Sequence, residues 1–283
     1  MVYFASMNRL AEWMKRRDRI LVMGIVNVTP DSFHDGGRYA SAEVAVSRVL
    51  QQEADGADIV DVGGESTRPG AGTLSVDAEL ERVLPVIEGV RRRSQVLLSV
   101  DTTKAEVARE ALAAGASMVN DVSALRLDDR MGETVAAAGA FVALMHMQGR
   151  PKTMQENPTY GDVVEEVREF LLERIEAAVA SGIPAERVLI DPGIGFGKQL
   201  HHNLALLRGL RRLATLGPPV LCGLSRKSFL GRILDLPSEE RLEGTIAANT
   251  VAIVNGADAI RVHDAREGRR TADVAILLRK DGA

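Results

Sequence analysis

Short apolar runs rich in β-branched residues recur eight times along this chain: "RILVMGIVNVT", "ADIVDVGG", "QVLLSVDT", "SMVNDVS", "FVALMH", "RVLIDPG", "PVLCGLSR" and "AIRVHD". They are apolar on both faces, the pattern of strands covered on both sides, as in a parallel sheet. The segments between them carry helical spacing: in residues 75–93, Leu80, Val83, Leu84 and Ile87 fall on one face, and Pro85 is expected to kink that helix. After the third run, "TKAEVAREALAAG" is expected to open with a capping box between Thr103 and Glu106 and to stop at Gly115. Strand and helix alternating in this way through a 283-residue chain predict α/β architecture, a single closed (β/α)8 barrel of the TIM type. An open doubly wound sheet is the structural alternative. Residues 1–17 read as an N-terminal extension packed outside, and residues 18–283 as the barrel domain. The first run begins at Arg19, so no fused domain is expected ahead of it.

A chain of this length buries a large core without disulfides or structural metals. Charged residues make up 26% and the net charge is −4, which leaves no electrostatic footprint for nucleic acid or a membrane surface. The one cysteine, Cys222, sits in the apolar run "PVLCGL" and reads as core. The first residues lack the apolar core of a secretory signal, and no run reaches the ~18 apolar residues of a membrane span. A cytoplasmic protein acting on small molecules is expected.

Each predicted strand ends in a group able to bind or react: Asn27, Asp61, Asp101, Asn120 with Asp121, His146, Asp191, Lys227, and Arg261 with His263. In a parallel barrel these ends converge on one mouth, where barrel enzymes place their chemistry. The stretch "DPGIGFGK", Asp191 to Lys198, is rich in glycine but is no phosphate loop. That motif would need glycine at Pro192 and Ser or Thr at Gln199. No His, Cys or carboxylate cluster has zinc-like spacing, and the adjacent His201 and His202 are expected to be exposed.

The motifs "NVTPDSFHDGG", "DVGGESTRPG", "SVDT", "VNDVS", "LMHMQGRPKTMQ", "DPGIGFGK", "GLSRKSFLG" and "IRVHD", in this order over almost the whole chain, resemble the dihydropteroate synthase family. Arg150 before "PKTMQ" and His34 after Phe33 depart from the family pattern, both at loop positions. The resemblance implies joining a dihydropterin, carried as its 6-hydroxymethyl diphosphate, to para-aminobenzoate, with release of pyrophosphate. Asp101, Asn120, Asp191, Lys227 and Phe196 would bind the pterin, whose guanidine-like edge of N–H donors asks for acceptors. Gly193, Gly195 and Gly197 would let the backbone pass close to that flat ring. Asn27, Arg68, Arg261 and His263 would bind the diphosphate, with Asn27 also offering an oxygen to Mg²⁺. Thr67, Pro69, Phe196 and Ser228 would form the aminobenzoate site, with Phe33 enclosing it from the first loop. Lys227, Arg261, Phe33 and Arg68 are the implied catalytic residues. Arg261 and His263 are expected to serve the diphosphate without affecting a pterin that lacks it. A homodimer through late outer helices and sensitivity to sulfonamides follow from the same resemblance. Two readings share the pocket: a pterin-dependent methyltransferase, against which "STRPG", "SRKS" and the Arg261/His263 pair argue, and a non-catalytic pterin-binding paralogue.

Overall fold

The structure, a computed structural model, describes residues 2–28, 37–65, 74–149 and 153–279. Among them are eight strands: β1 (Leu21–Asn27), β2 (Ile59–Gly63), β3 (Leu97–Asp101), β4 (Met118–Asp121), β5 (Phe141–Met145), β6 (Val188–Asp191), β7 (Leu221–Gly223) and β8 (Ala259–Val262). All are parallel, in the order β6-β5-β4-β3-β2-β1-β8-β7, and a parallel bridge between Ile190 and Val220 closes β6 onto β7. The sheet is therefore the expected closed barrel. Helices α2 (Gly37–Ala54), α3 (Val76–Arg91), α4 (Ala105–Ala113), α5 (Met131–Ala137), α6 (Val163–Ala180) and α7 (Leu200–Ala214) follow the first six strands. A pair, α8 (Ser228–Leu234) and α9 (Leu242–Val254), follows β7, and α10 (Ala265–Leu278) ends the described chain.

Alternation along each strand divides the core in two. Outward residues such as Val60, Leu98, Val119, Val142, Ile190 and Cys222 pack under the helices. Inward residues Leu21, Met23, Ile59, Leu97, Met118, Phe141, Leu189, Leu221 and Ala259 fill the lower barrel. The N-terminal segment, helix α1 (Val2–Arg16), closes that lower end: Leu10, Trp13 and Met14 are buried in the same cluster. Each such side chain contributes roughly 1.5–3 kcal/mol on burial, and the Trp13 indole N–H donates to the Arg19 carbonyl at 2.8 Å. Helix α1 is thus continuous with the barrel core.

Helix α3 continues through Pro85, which is exposed. One local expectation changed. No capping box forms at α4: its N-cap is Lys104, without a side-chain cap, and the Asp128 carboxylate accepts from the Ala105 N–H at 2.9 Å instead. A carboxylate from the next loop outcompetes the local hydroxyl. The stop at Gly115 is as expected, with φ +117°.

Candidate active site

Two residues beyond the inward apolar layer, period-2 alternation brings polar groups to the same axis: Asp61 above Ile59, Asn120 above Met118, Asp191 above Leu189 and Arg261 above Ala259. Asp101 stands a further step up β3, in register with Asn120 on β4. Four of these residues form one network. Asp61 Oδ2 accepts from Asn120 Nδ2 at 2.8 Å and from Arg261 Nε at 2.7 Å, while an Arg261 Nη2 bond of 2.8 Å reaches Asp101 Oδ2. Asp61 is fully buried, Asp101 and Asn120 nearly so. Burial pushes the Asp101 carboxyl up to about 7, and Arg261 alone pulls the other way while Asp61, Glu79 and Asp121 add to the rise.

Asp191 faces this network from the other side. Its Oδ1 accepts from the Gly193 N–H at 2.7 Å, and its Oδ2 lies 3.9 Å from where a Cβ on Gly223 would stand, as does the Cβ of Arg261. Glycine at 223 therefore leaves a gap between the two charged side chains. Lys227, half-buried, donates to the Ile194 carbonyl and sits with Nζ 4.1 Å above the Phe196 ring. Burial pushes its ammonium down to about 8, helped by Arg261 and opposed by Asp191. Asn27 ends β1 with Oδ1 3.5 Å from the Cβ position of Gly63, close to Asp101. His263 follows β8, its Nδ1 2.9 Å from Ser225 Oγ. Ser228 is exposed in the first turn of α8. Asn27, Asp101, Asn120, Asp191, Lys227, Arg261 and His263 thus gather at the C-terminal mouth as expected. Phe33, Thr67, Arg68 and Pro69 lie outside the described residues, as do His34 and Arg150.

Two strand-end residues, Asp121 and His146, and one helix residue, His202, serve the scaffold. Asp121 points outward and binds the N–H groups of Ser123 and Leu125, both at 2.8 Å, shaping the turn after β4. His146 is buried against Phe170 and Lys198. His202 is buried rather than exposed: its ring accepts from the Gln199 N–H at 3.1 Å to cap α7, while His201 stays in solvent.

The "DPGIGFGK" glycines answer to protein atoms before any ligand. Gly193 has φ +64° and a Cβ there would stand 1.9 Å from the His146 carbonyl oxygen; Gly197 has φ +58°, with the Gln148 carbonyl oxygen at 2.7 Å. The loop lies flat on the segment after β5, where no side chain fits. Lys198, given no role from sequence, fastens it: buried, it donates to the Gly193 and Phe196 carbonyls at 3.0 and 2.9 Å and meets His146 Nδ1 at 2.8 Å. A lysine inside an apolar glycine-rich stretch was the available signal. Lys104 and Gln52 also went unnoticed, because their partners are distant in sequence.

Residues 23–263 match the family described as "Pterin binding enzyme". The chain is 46% identical over 270 residues to the dihydropteroate synthase of Synechocystis sp., covering 95% of this chain and 92% of that one. Among solved structures it is similar to Xanthomonas albilineans dihydropteroate synthase with 4-aminobenzoic acid, with a TM-score of 0.85, 49% identity and 93% of both chains covered. It is also similar to Yersinia pestis dihydropteroate synthase with a sulfonamide drug complex, with a TM-score of 0.88, 44% identity, and 93% and 95% of the two chains covered. A polar barrel mouth built from these motifs, and matches of this extent, carry one conclusion: the chain belongs to the dihydropteroate synthase family of pterin-binding enzymes.

Proposed function

We propose that this chain condenses (7,8-dihydropterin-6-yl)methyl diphosphate with para-aminobenzoate, giving 7,8-dihydropteroate and pyrophosphate. The observation that carries the residue assignment is the inward ring of acceptors, Asp191 opposite Asp101 and Asn120, with Lys227 at its rim. A pterin presents N–H donors along one edge and a carbonyl beside them. Asp191 accepts from that edge, Asp101 and Asn120 complete the polar wall, and Lys227 donates to the carbonyl side. Phe196, held between Lys227 and the cluster of Val122, Met145, Met147 and Met154, supplies an apolar wall. Charged hydrogen bonds of this kind contribute roughly 1.5–3 kcal/mol each.

The diphosphate lies towards Asn27, Arg261 and His263, with Arg68 its further cation. In the reaction the bond from the 6-methylene carbon to the diphosphate oxygen breaks, its electrons leaving with pyrophosphate. The aminobenzoate nitrogen then bonds to that carbon and gives up one proton. Phe33, Thr67 and Pro69, with Phe196 and Ser228, enclose the amine, and Arg68 and Arg261 hold the leaving group. Among the described residues no group of three or more His, Cys, Asp or Glu is placed to hold a metal. Mg²⁺ would be taken with the diphosphate: Asn27 would give one amide oxygen, in the space glycine at 63 keeps open. When bound, the ion would neutralise charge developing on the leaving group.

The same reading includes a cytoplasmic homodimer and sulfonamide competition at the aminobenzoate site. No helix among the described residues is long and apolar enough to cross a membrane. Val274, Leu277 and Leu278 form an exposed apolar stripe on α10, which supports a partner there. Pyrophosphate release tests the activity. Release is expected only with both substrates and Mg²⁺ present, and none under saturating conditions would leave a pterin-binding protein without this chemistry.

A further inference from the structure

The segments after β7 and β8 are laced side by side. Arg226 reaches Asp264 through two bonds, Nε to Oδ2 at 3.1 Å and Nη2 to Oδ1 at 2.7 Å. One residue earlier on each segment, Ser225 Oγ lies 3.2 Å from the His263 backbone nitrogen and 2.9 Å from its Nδ1. The His263 carbonyl is held in turn by Gln52 Nε2 at 2.8 Å, from the last turn of α2. Ser225 and Gln52 are both buried, so the backbone of His263 is fixed on both sides.

The hydrogens of this pair follow from the donors available. The backbone N–H can only donate, so it occupies a lone pair of Ser225 Oγ. The hydroxyl proton of a buried serine needs an acceptor, and Nδ1 is in reach. Were Nδ1 to carry a hydrogen instead, that hydroxyl would be left buried with its proton unused. We infer that Ser225 is a positioning residue that fixes His263 as the tautomer protonated on Nε2, so that the neutral ring offers an N–H donor to the anion at the barrel mouth. A neutral imidazole can donate from one nitrogen alone, and an anion needs that nitrogen on its own side. The inference rests on the reading that His263 serves the diphosphate. It adds how the ring, in its neutral form, is made a donor on that side.

Nitrogen-15 correlation spectra of the imidazole rings in the full chain test this directly at pH 8, above the ordinary imidazole range of ~6.5. The chain has five histidines, and loss of one signal set in His263→Gln assigns the ring. Wild type is expected to show a pyridine-type Nδ1 and a pyrrole-type Nε2. Ser225→Ala is expected to shift His263 towards a mixture of tautomers and to weaken pyrophosphate binding, titrated calorimetrically with Mg²⁺, by about tenfold. Affinity for a pterin without the diphosphate should stay unchanged, and Ser225→Thr, which keeps the hydroxyl, should keep the wild-type spectrum. A hydrogen on Nδ1 in wild type, or a Ser225→Ala protein with unaltered spectrum and pyrophosphate affinity, would overturn the inference. Should Ser225→Ala fold poorly, the wild-type and Ser225→Thr spectra decide it alone. Unchanged pyrophosphate affinity in His263→Gln would instead remove His263 from the diphosphate site, an outcome the tautomer spectrum distinguishes.

Discussion

Lys198 Nζ lies 2.8 Å from Nδ1 of His146, so a buried lysine from the loop after β6 is fastened to a buried histidine from the end of β5. Burial pushes the His146 ring down to about 2, with Lys198 and Arg126 adding to the fall, which keeps it neutral and leaves Nδ1 able to accept. The same Nζ donates to the Gly193 and Phe196 carbonyls, while burial pushes the lysine's own pKa well down. Lys198→Met should strand these acceptors and cost about 2–3 kcal/mol of stability, read as a lower urea midpoint, together with weaker pterin binding. Unaltered stability and affinity would show that the loop holds its shape without the lysine.

Pterin affinity should depend on pH through groups of opposite sign: the carboxylates Asp101 and Asp191, both pushed up by burial, and the Lys227 ammonium, pushed down. Asp101 carries its charge only above about 7, so acceptance of N–H donors is lost as pH falls through that value. Lys227 carries its charge only below about 8, so donation to the carbonyl side is lost as pH rises through it. Titration of a pterin lacking the diphosphate should give strongest binding between these limbs, which belong to the coupled site as a whole. Asp101→Asn, which cannot ionise, should weaken the acid limb, and what remains belongs to Asp191, whose carboxyl burial also pushes up. A flat profile across pH 6–9 in wild type would contradict the assignment of these groups.

Lys104 stands between Glu65, two residues before Thr67 in sequence and shortly ahead of Arg68 and Pro69, and the fully buried Glu79 of α3. Arg82 adds a 2.8 Å bond to the Gly64 carbonyl, so two cations pin the same stem. Lys104→Met should raise KM for para-aminobenzoate by about tenfold, the loss of roughly one charged hydrogen bond, and leave pterin affinity as in wild type. Lys104→Arg should recover part of the loss. A parallel fall in pterin affinity would make the lysine a general prop for the mouth.

How far the sequence reached is a matter of distance along the chain. Strand periodicity gives the inward step from Ile59 to Asp61 or from Leu189 to Asp191 without any tertiary knowledge, so the barrel and most of its polar mouth were legible. What depends on a partner far along the chain was not. Thr103 and Glu106 carry a local capping signal, yet Asp128 caps α4. Gly193 looked like room for a ligand, and its constraint is the His146 carbonyl. Arg261 looked like a free clamp, and its guanidinium is shared by two carboxylates from β2 and β3.

That sharing changes the expectation for Arg261→Ala. The substitution removes the cation between Asp61 and Asp101, and Asp61 Oδ1 already has no hydrogen-bond partner among the described residues. Breaking a buried pair from one side costs roughly 3–5 kcal/mol. Arg261→Ala should therefore lower thermal stability and weaken binding of a pterin without its diphosphate as well as binding of pyrophosphate. Unchanged pterin affinity would restore the simpler picture of an arginine devoted to the diphosphate.

The central claim is that Asp191 reads the donor edge of the pterin. Its Oδ1 is tied to the Gly193 N–H at 2.7 Å. In Asp191→Asn the amide oxygen must keep that position, which turns the NH2 group towards the pterin, donor against donor. Calorimetric titration of a pterin lacking the diphosphate into wild type and Asp191→Asn is the direct measurement. Loss of one or more charged hydrogen bonds predicts binding weaker by about a hundredfold, and equal affinity in the two proteins would place the pterin elsewhere.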